Sequence, residues 1–339
     1  MSGVLGESKE PLQAAYDLAM LDLDGVVYVG GEAVRGAPEA LDVARKAGMR
    51  LAFVTNNAAR TPETVAAHLV DLGIEAEAHD VVTSAQAAAR VLVDRLGRGA
   101  RVVVLGAEGL RTALESERLV PVGVGDGAAA IVSGYAPDLP WRDVMRGAVR
   151  IADGLPWVAS NTDMTIPTDY GTAPGHGVLV DLLRRFTGVD PTVAGKPARP
   201  LLDETIRRVG GERPLMVGDR LDTDIEGAQN ADVPSLLVLT GVTGLAELVA
   251  ARPAERPTYV AADLAGLAES HPAPRTDGSR AELGGWSADV VEGRLEVGGH
   301  GAPNDWWRVV AASGWAHLDA SGTPADITAL RPPDGSLGA

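Results

Sequence analysis

Leu18-Ala19-Met20-Leu21-Asp22-Leu23-Asp24-Gly25 is a near-continuous apolar run that ends in two aspartates and a glycine. A run of this kind suits a strand covered on both faces of a parallel sheet, with its polar end marking where the strand meets solvent. Moving outward, the spacing predicts a helix over Pro38 to Ala47 stopped by Gly48, then the strand Leu51-Ala52-Phe53-Val54, with Thr55 and Asn56 at its end. Thr61-Pro62 reads as an N-cap followed by proline at the first helical position, and Val65, Leu69 and Leu72 supply the apolar face of the helix that follows.

Short aliphatic runs alternate with helical patterns to about residue 268, which predicts an α/β fold with a mostly parallel sheet. From Asp80 the pattern restarts. A helix from Ser84 to Leu96, the strand Val102-Val103-Val104-Leu105, a helix from Leu110 to Ser116, the strand Ala129 to Ser133, a helix from Trp141 to Ile151 and the strand Trp157-Val158-Ala159 form a separate module. The Gly/Pro-rich stretch from Ile166 to Gly177 is read as a hinge and substrate loop. The first pattern then resumes with a helix from Val178 to Phe186, a turn at Gly195-Lys196-Pro197, the strand Leu215-Met216-Val217, Gly218-Asp219, and the strand Leu236 to Leu239. The expected organisation is a doubly wound, Rossmann-like core over 14–79 and 178–268, an inserted α/β cap over 80–177, and a small Trp-rich unit over 272–339. Four of the six tryptophans, Trp286, Trp306, Trp307 and Trp315, fall in that tail. They are read as the core of a small β-rich appendage rather than as a ligand platform.

Composition narrows the partners. With 46 acidic against 30 basic residues the formal charge is -16, which repels nucleic acid and anionic membrane, so neither is expected to bind. No cysteine is present, which excludes disulfides, thiolate metal sites and cysteine nucleophiles and fits a reducing cytoplasm. Residues Met1 to Gln13 show no basic segment leading into an apolar one, and no apolar run approaches a membrane span, so a cytoplasmic protein is expected.

In a doubly wound sheet, ligands bind beyond the carboxyl ends of the strands. The ends here offer Asp22 with Asp24, Thr55 with Asn56, Lys196, and Asp219 with Asp224. Asp22 and Asp24 are two apart and project to one side while strand geometry lasts, and Gly25 permits a sharp departure. Clustered carboxylates without histidine or thiolate ligands suit octahedral magnesium, and phosphoryl transfer needs a nucleophile in line and cations against the equatorial oxygens. Asp22 fits the nucleophile and Asp24 the acid/base that protonates the leaving alkoxide and then activates water. Lys196, Thr55 and Asn56 are the phosphate-binding candidates. The expected partner is a small phosphorylated metabolite.

The order Asp-x-Asp-Gly-Val, Val-Thr-Asn-Asn, Gly-Lys-Pro, Gly-Asp-Arg-Leu-Asp-Thr-Asp-Ile resembles the haloacid-dehalogenase-like superfamily, all of whose motifs occur here in order. The resemblance implies an aspartyl-phosphate intermediate on Asp22, acid/base action by Asp24, and magnesium held by Asp22, the backbone carbonyl at Asp24, Asp219 and Asp224. Asp222 falls one position off the spacing and is left out. A cap lying between Thr55 and Lys196 resembles the 4-nitrophenylphosphatase-like branch, and Val81-Val82-Thr83-Ser84 with Arg220-Leu221-Asp222-Thr223-Asp224 looks most like actinobacterial glycerol 3-phosphate phosphatases. Phosphoglycolate, pyridoxal phosphate and nucleoside monophosphates are the alternative substrates within the branch. The resemblance spans roughly residues 15 to 268, leaves the tail outside, and implies a homodimer through the cap.

Other motifs carry less. Gly195-Lys196 lacks the earlier glycine of a nucleotide P-loop, and Pro197 stands where a hydroxyl residue is needed. Gly123-x-Gly125-x-Gly127 is followed by alanine where a dinucleotide fingerprint needs glycine. Of the six histidines, none has metal-ligand spacing, and they are read as surface or loop residues. His176, between two glycines, is the exception, taken as a candidate substrate contact. A phosphotransferase or mutase would use the same aspartyl phosphate. A phosphorylation-switched signalling module would share the aspartates, threonine and lysine but needs neither an acid at Asp24 nor a cap.

Overall fold

The computed structural model describes residues 4–168 and 170–333, so the last residues of the tail lie outside the described residues. The chain divides into two compact units, residues 1–51 with 211–339, and residues 52–210.

In the first unit, Leu18–Asp22 pairs in parallel with Pro214–Gly218, that strand with Ser235–Val238, and that one with Tyr259–Ala261. Leu18, Ala19, Met20 and Leu21 are wholly buried, as a strand covered on both faces demands. The register sets Leu21 opposite Val217, so Asp22 and Gly218 come next and end their strands side by side at the carboxyl end of the sheet. The helix predicted over Pro38 to Ala47 runs Ala37–Lys46, and Gly48, with φ +95°, turns the chain out of it.

The second unit holds a five-stranded parallel sheet in the order Thr192–Val193, Trp157–Ala159, Ala130–Ser133, Arg101–Leu105, Val120–Val122. Its core is Val103, Leu105, Ile131, Val144, Ile151, Trp157 and Leu183. The helix Ser84–Leu96 starts and ends where the sequence places it, because Thr83 and Gln86 form a reciprocal capping box and Gly97 closes the last turn. Two short strands fall across the expected joints. Val81–Thr83 pairs in parallel with Arg50–Thr55, and Thr192–Val193 joins the five-stranded sheet.

Two readings are corrected. The stretch taken as a hinge and loop over residues 166–177 is an antiparallel hairpin, Thr165–Thr168 with Gly171–Pro174, followed by the helix His176–Thr187. Pro167 is tolerated because a two-stranded ribbon is all edge. The tail is a four-stranded antiparallel meander from Arg275 to Gly299 followed by a long helix, Pro303–Ser321, which the strand-like run Trp306-Trp307-Arg308-Val309-Val310 concealed. Trp306, Trp307 and Trp315 are buried with Leu237, Leu248, Val249 and Val260, so the tail shares the first unit's core. Among the described residues no helix is long and apolar enough to cross a membrane.

Candidate active site

In the first unit the structure brings together Asp22, Asp219 and Asp224, whose nearest carboxylate oxygens all lie within 4.8 Å of one another. Asp219 and Asp224 are wholly buried, Asp22 is half-buried and Asp24 is exposed. Each is placed by a backbone device. Gly25 has φ +89°, and a Cβ there would lie 2.4 Å from Asp219 Oδ2, so only glycine lets the turn after Asp24 close over that carboxylate. A Cβ at Gly218 would lie 2.2 Å from Asp224 Cβ, so the second carboxylate folds back over the end of its own strand. The turn Leu221–Ile225 is wound wide, with Ile225 N donating to Arg220 O, and Arg220 N donates to Asp224 Oδ2 at 3.1 Å. Such widened turns recur at functional sites. Asp222 faces away, exposed and paired with Arg220 at 2.9 Å, as its spacing implied.

The loop after Ser235–Val238 also reaches this carboxylate cluster, and the sequence reading missed it. Val242 N donates to Asp219 Oδ2 at 2.7 Å, Thr243 N to Asp219 O at 3.1 Å, and Thr240 Oγ1 to Gly25 O at 2.6 Å. Thr240-Gly241 at the end of a buried strand is the same signal that singled out Thr55-Asn56. Three carboxylates so close repel one another strongly where water is excluded, and an all-oxygen donor set of this kind fits a hard divalent cation such as magnesium.

The second unit brings Thr55, Asn56 and Lys196 together, all buried. The Thr55 hydroxyl oxygen accepts from Asn57 N at 3.1 Å, leaving its hydrogen to donate elsewhere. Asn56 bonds to both backbone groups of Lys196: Lys196 N donates to Oδ1 at 2.8 Å, and Nδ2 donates to Lys196 O at 3.0 Å. The other partner of Nδ2 is Asp163 Oδ1, also at 3.0 Å. His176 is not in a loop. It opens a helix and is buried, with Nδ1 2.9 Å from Asn161 O, and burial pushes its pKa down to about 4, so the ring is neutral.

A haloacid dehalogenase-like hydrolase model matches residues 19–119, and a related hydrolase-like model matches residues 193–267. The D-glycerol 3-phosphate phosphatase of Mycobacterium tuberculosis is 43% identical over 291 residues, 86% of this chain and 80% of that one. Among solved structures, a glycerol phosphate phosphatase from Mycobacterium tuberculosis in complex with magnesium superposes with a TM-score of 0.84 at 40% identity, covering 94% of both chains. That cover takes in most of the tail, which the motif resemblance had left outside. A 4-nitrophenylphosphatase from Thermotoga maritima superposes with a TM-score of 0.70 at 28% identity, covering 76% of this chain and 98% of that one. On the strength of both the sequence identity and the shared fold, this chain belongs to the haloacid dehalogenase-like hydrolase family.

Proposed function

We propose that this chain hydrolyses a small phosphate monoester, with glycerol 3-phosphate its best substrate, through an aspartyl phosphate formed on Asp22. The observation that carries the proposal is the cluster of Asp22, Asp219 and Asp224 at the carboxyl ends of two neighbouring strands. Likeness to the mycobacterial glycerol 3-phosphate phosphatase supports the substrate.

In the first half-reaction an Asp22 oxygen attacks phosphorus in line, the bond from phosphorus to the ester oxygen breaks, and Asp24 gives that oxygen its proton. In the second, Asp24 takes a proton from water, the water oxygen attacks phosphorus, and the bond to Asp22 breaks, releasing inorganic phosphate. Lys196, the Thr55 hydroxyl and the backbone N–H at Asn56 hold the phosphoryl oxygens as charge develops. Asp24 is exposed, as a group exchanging protons with water should be. Asp22, Asp219 and Asp224, with the carbonyl of Asp24, would hold magnesium, which when bound offsets the carboxylate repulsion and the phosphoryl charge. Residues 80–177 would select the leaving group, and a cytoplasmic location belongs to the same proposal.

A panel of glycerol 3-phosphate, phosphoglycolate, pyridoxal phosphate and nucleoside monophosphates, assayed with magnesium, should give the highest kcat/KM for glycerol 3-phosphate. A higher value for another ester would move the substrate assignment and leave the chemistry standing. In ¹⁸O-labelled water the released phosphate should carry the label; label-free transfer to a sugar hydroxyl would make the enzyme a phosphotransferase.

The proposal extends to a homodimer built on the second unit. The neighbouring helices Trp141–Ala152 and His176–Thr187 each show solvent an apolar stripe at helical spacing, Trp141, Met145 and Val149 on one, Val178, Leu182 and Phe186 on the other. Trp141, at 60% exposure, and Phe186, at 66%, are the largest side chains of these two stripes, and exposed apolar surface gathered on adjoining helices marks an interaction face. A two-fold axis would bury this one patch against itself. Light scattering should find a dimer, and Met145→Glu with Phe186→Glu should yield a monomer. A monomeric natural chain at micromolar concentration would end the idea.

A further inference from the structure

We propose that the side chain of Asn56 works through Lys196 rather than on the phosphoryl group, as a bracket that fixes where Lys196 leaves the backbone. This rests on the reading that Lys196 acts at the phosphate.

An asparagine amide has two N–H donors and one carbonyl oxygen. Both kinds of group are spent on protein. Nδ2 donates to Lys196 O and to Asp163 Oδ1, each at 3.0 Å, and Oδ1 accepts from Lys196 N at 2.8 Å. One side chain thus pairs with both backbone groups of a single residue, as a neighbouring strand would. No amide hydrogen is left for a phosphate oxygen. Sequence reasoning placed Asn56 beside Thr55 as a phosphate ligand; the geometry gives its side chain another task.

The bracket is braced from behind. The Asn56 carbonyl accepts from Asn161 Nδ2 at 2.6 Å and from Ser84 Oγ. Asn161 Oδ1 in turn accepts from Asp163 N at 3.1 Å, which holds the carboxylate that receives the Asn56 amide. His176 Nδ1 donates to Asn161 O, and the neutral ring brings no charge into the cluster. Asn56, Asn161, His176 and Lys196 are all buried, where an unmade hydrogen bond is costly and a made one is rigid. Gly195 closes the arrangement, since a Cβ there would lie 2.5 Å from Asn56 Oδ1 and 2.6 Å from Ser160 O.

A charged group that must meet a transition state loses about 10²-fold in rate when displaced by about 1 Å. The test is a double-mutant cycle on kcat/KM with glycerol 3-phosphate, in the full chain, with the thermal midpoint and circular dichroism recorded for every variant. Asn56→Ala should cost about 10²-fold in the natural background. In the Lys196→Ala background it should cost less than about threefold, because the residue it positions is gone. Gly195→Ala, which crowds the bracket without altering Asn56, should show the same loss and the same absorption, and it keeps the test open should Asn56→Ala fold poorly. Effects that multiply in the double variant would overturn the bracket, because they would mean that Asn56 contacts the phosphoryl group itself, with Lys196 still acting at the phosphate. A Lys196→Ala enzyme with near-natural kcat would instead overturn the underlying reading of Lys196, and the bracket with it.

Discussion

Asp22→Asn is expected to lower kcat for glycerol 3-phosphate by about 10⁴-fold or more while leaving the protein folded. Asparagine is isosteric with aspartate, so the strand end and its neighbours keep their shape; what is lost is the anionic oxygen that attacks phosphorus. Removing one charge from a set whose oxygens lie within 4.8 Å of each other also relieves repulsion, so in chelator the variant should melt no lower than the natural chain and could only gain. This opposite movement of activity and stability separates loss of a nucleophile from loss of a fold. Asp24→Asn should lose less, about 10² to 10⁴-fold, the range for a missing general acid/base. The checks are kcat with saturating substrate and magnesium, and the thermal midpoint in chelator. Near-natural kcat in Asp22→Asn would remove Asp22 from the nucleophile's role.

The parts of this site legible in sequence are those set by local rules. Asp22 with Asp24 and Asp219 with Asp224 stand out because buried parallel strands are apolar to their last residue, so a carboxylate at the end is conspicuous. Ser84–Leu96 and Trp157–Ala159 fall where expected because caps and periodicity lie within a few residues of each other. What stayed hidden depends on residues far apart in the chain. Nothing near Asn56 announces that its amide will close on residue 196, or that Asn161 and Asp163 will support it. Val242 donates to Asp219 from a loop that sequence alone marks only by its place after a strand. His176, flanked by glycines, reads as a loop residue; a Cβ at Gly177 would lie 2.2 Å from Thr162 O, so those glycines serve close packing at the start of a helix rather than mobility. The helix Pro303–Ser321 did carry its signals, proline in the first turn and Gly322 with φ +76° after the last, but its tryptophans and valines favour strand, and packing decided against local preference.

A chain ending at residue 271 is expected not to fold, and the reason lies in where the tail's tryptophans go. Trp306, Trp307 and Trp315 are buried among Leu237, Leu239, Leu248, Val249 and Val260, which line the strands and helix of the first unit's parallel sheet. Polar ties accompany them. Trp315 Nε1 donates to Leu248 O at 2.7 Å, Arg256 pairs through its two terminal nitrogens with Asp319 while lying 5.4 Å over the Trp315 ring, and Asn304 Oδ1 accepts from Ala262 N at 2.8 Å. Buried Arg308 donates to His271 Nδ1 at 2.9 Å, a bond that needs the imidazole neutral, and burial first, then the Arg308 charge, keeps its pKa down at about 4. Truncating one large buried aromatic costs about 3–5 kcal/mol, and a whole domain is stable by only about 5–15 kcal/mol, so loss of all three, about 9–15 kcal/mol, is as large as the stability of a whole domain. The truncated chain should be insoluble, or soluble with a dye-binding, non-cooperative melt and no phosphatase activity. Trp307→Ala should lower the thermal midpoint by roughly 6 °C or more, from about 2–4 °C per kcal/mol at this size. Trp307→Phe should cost far less, because Trp307 Nε1 has no hydrogen-bond partner among the described residues and the ring acts by filling space. A truncated chain that stays soluble, melts cooperatively and turns over at the natural rate would instead make the tail an independent module with a partner of its own.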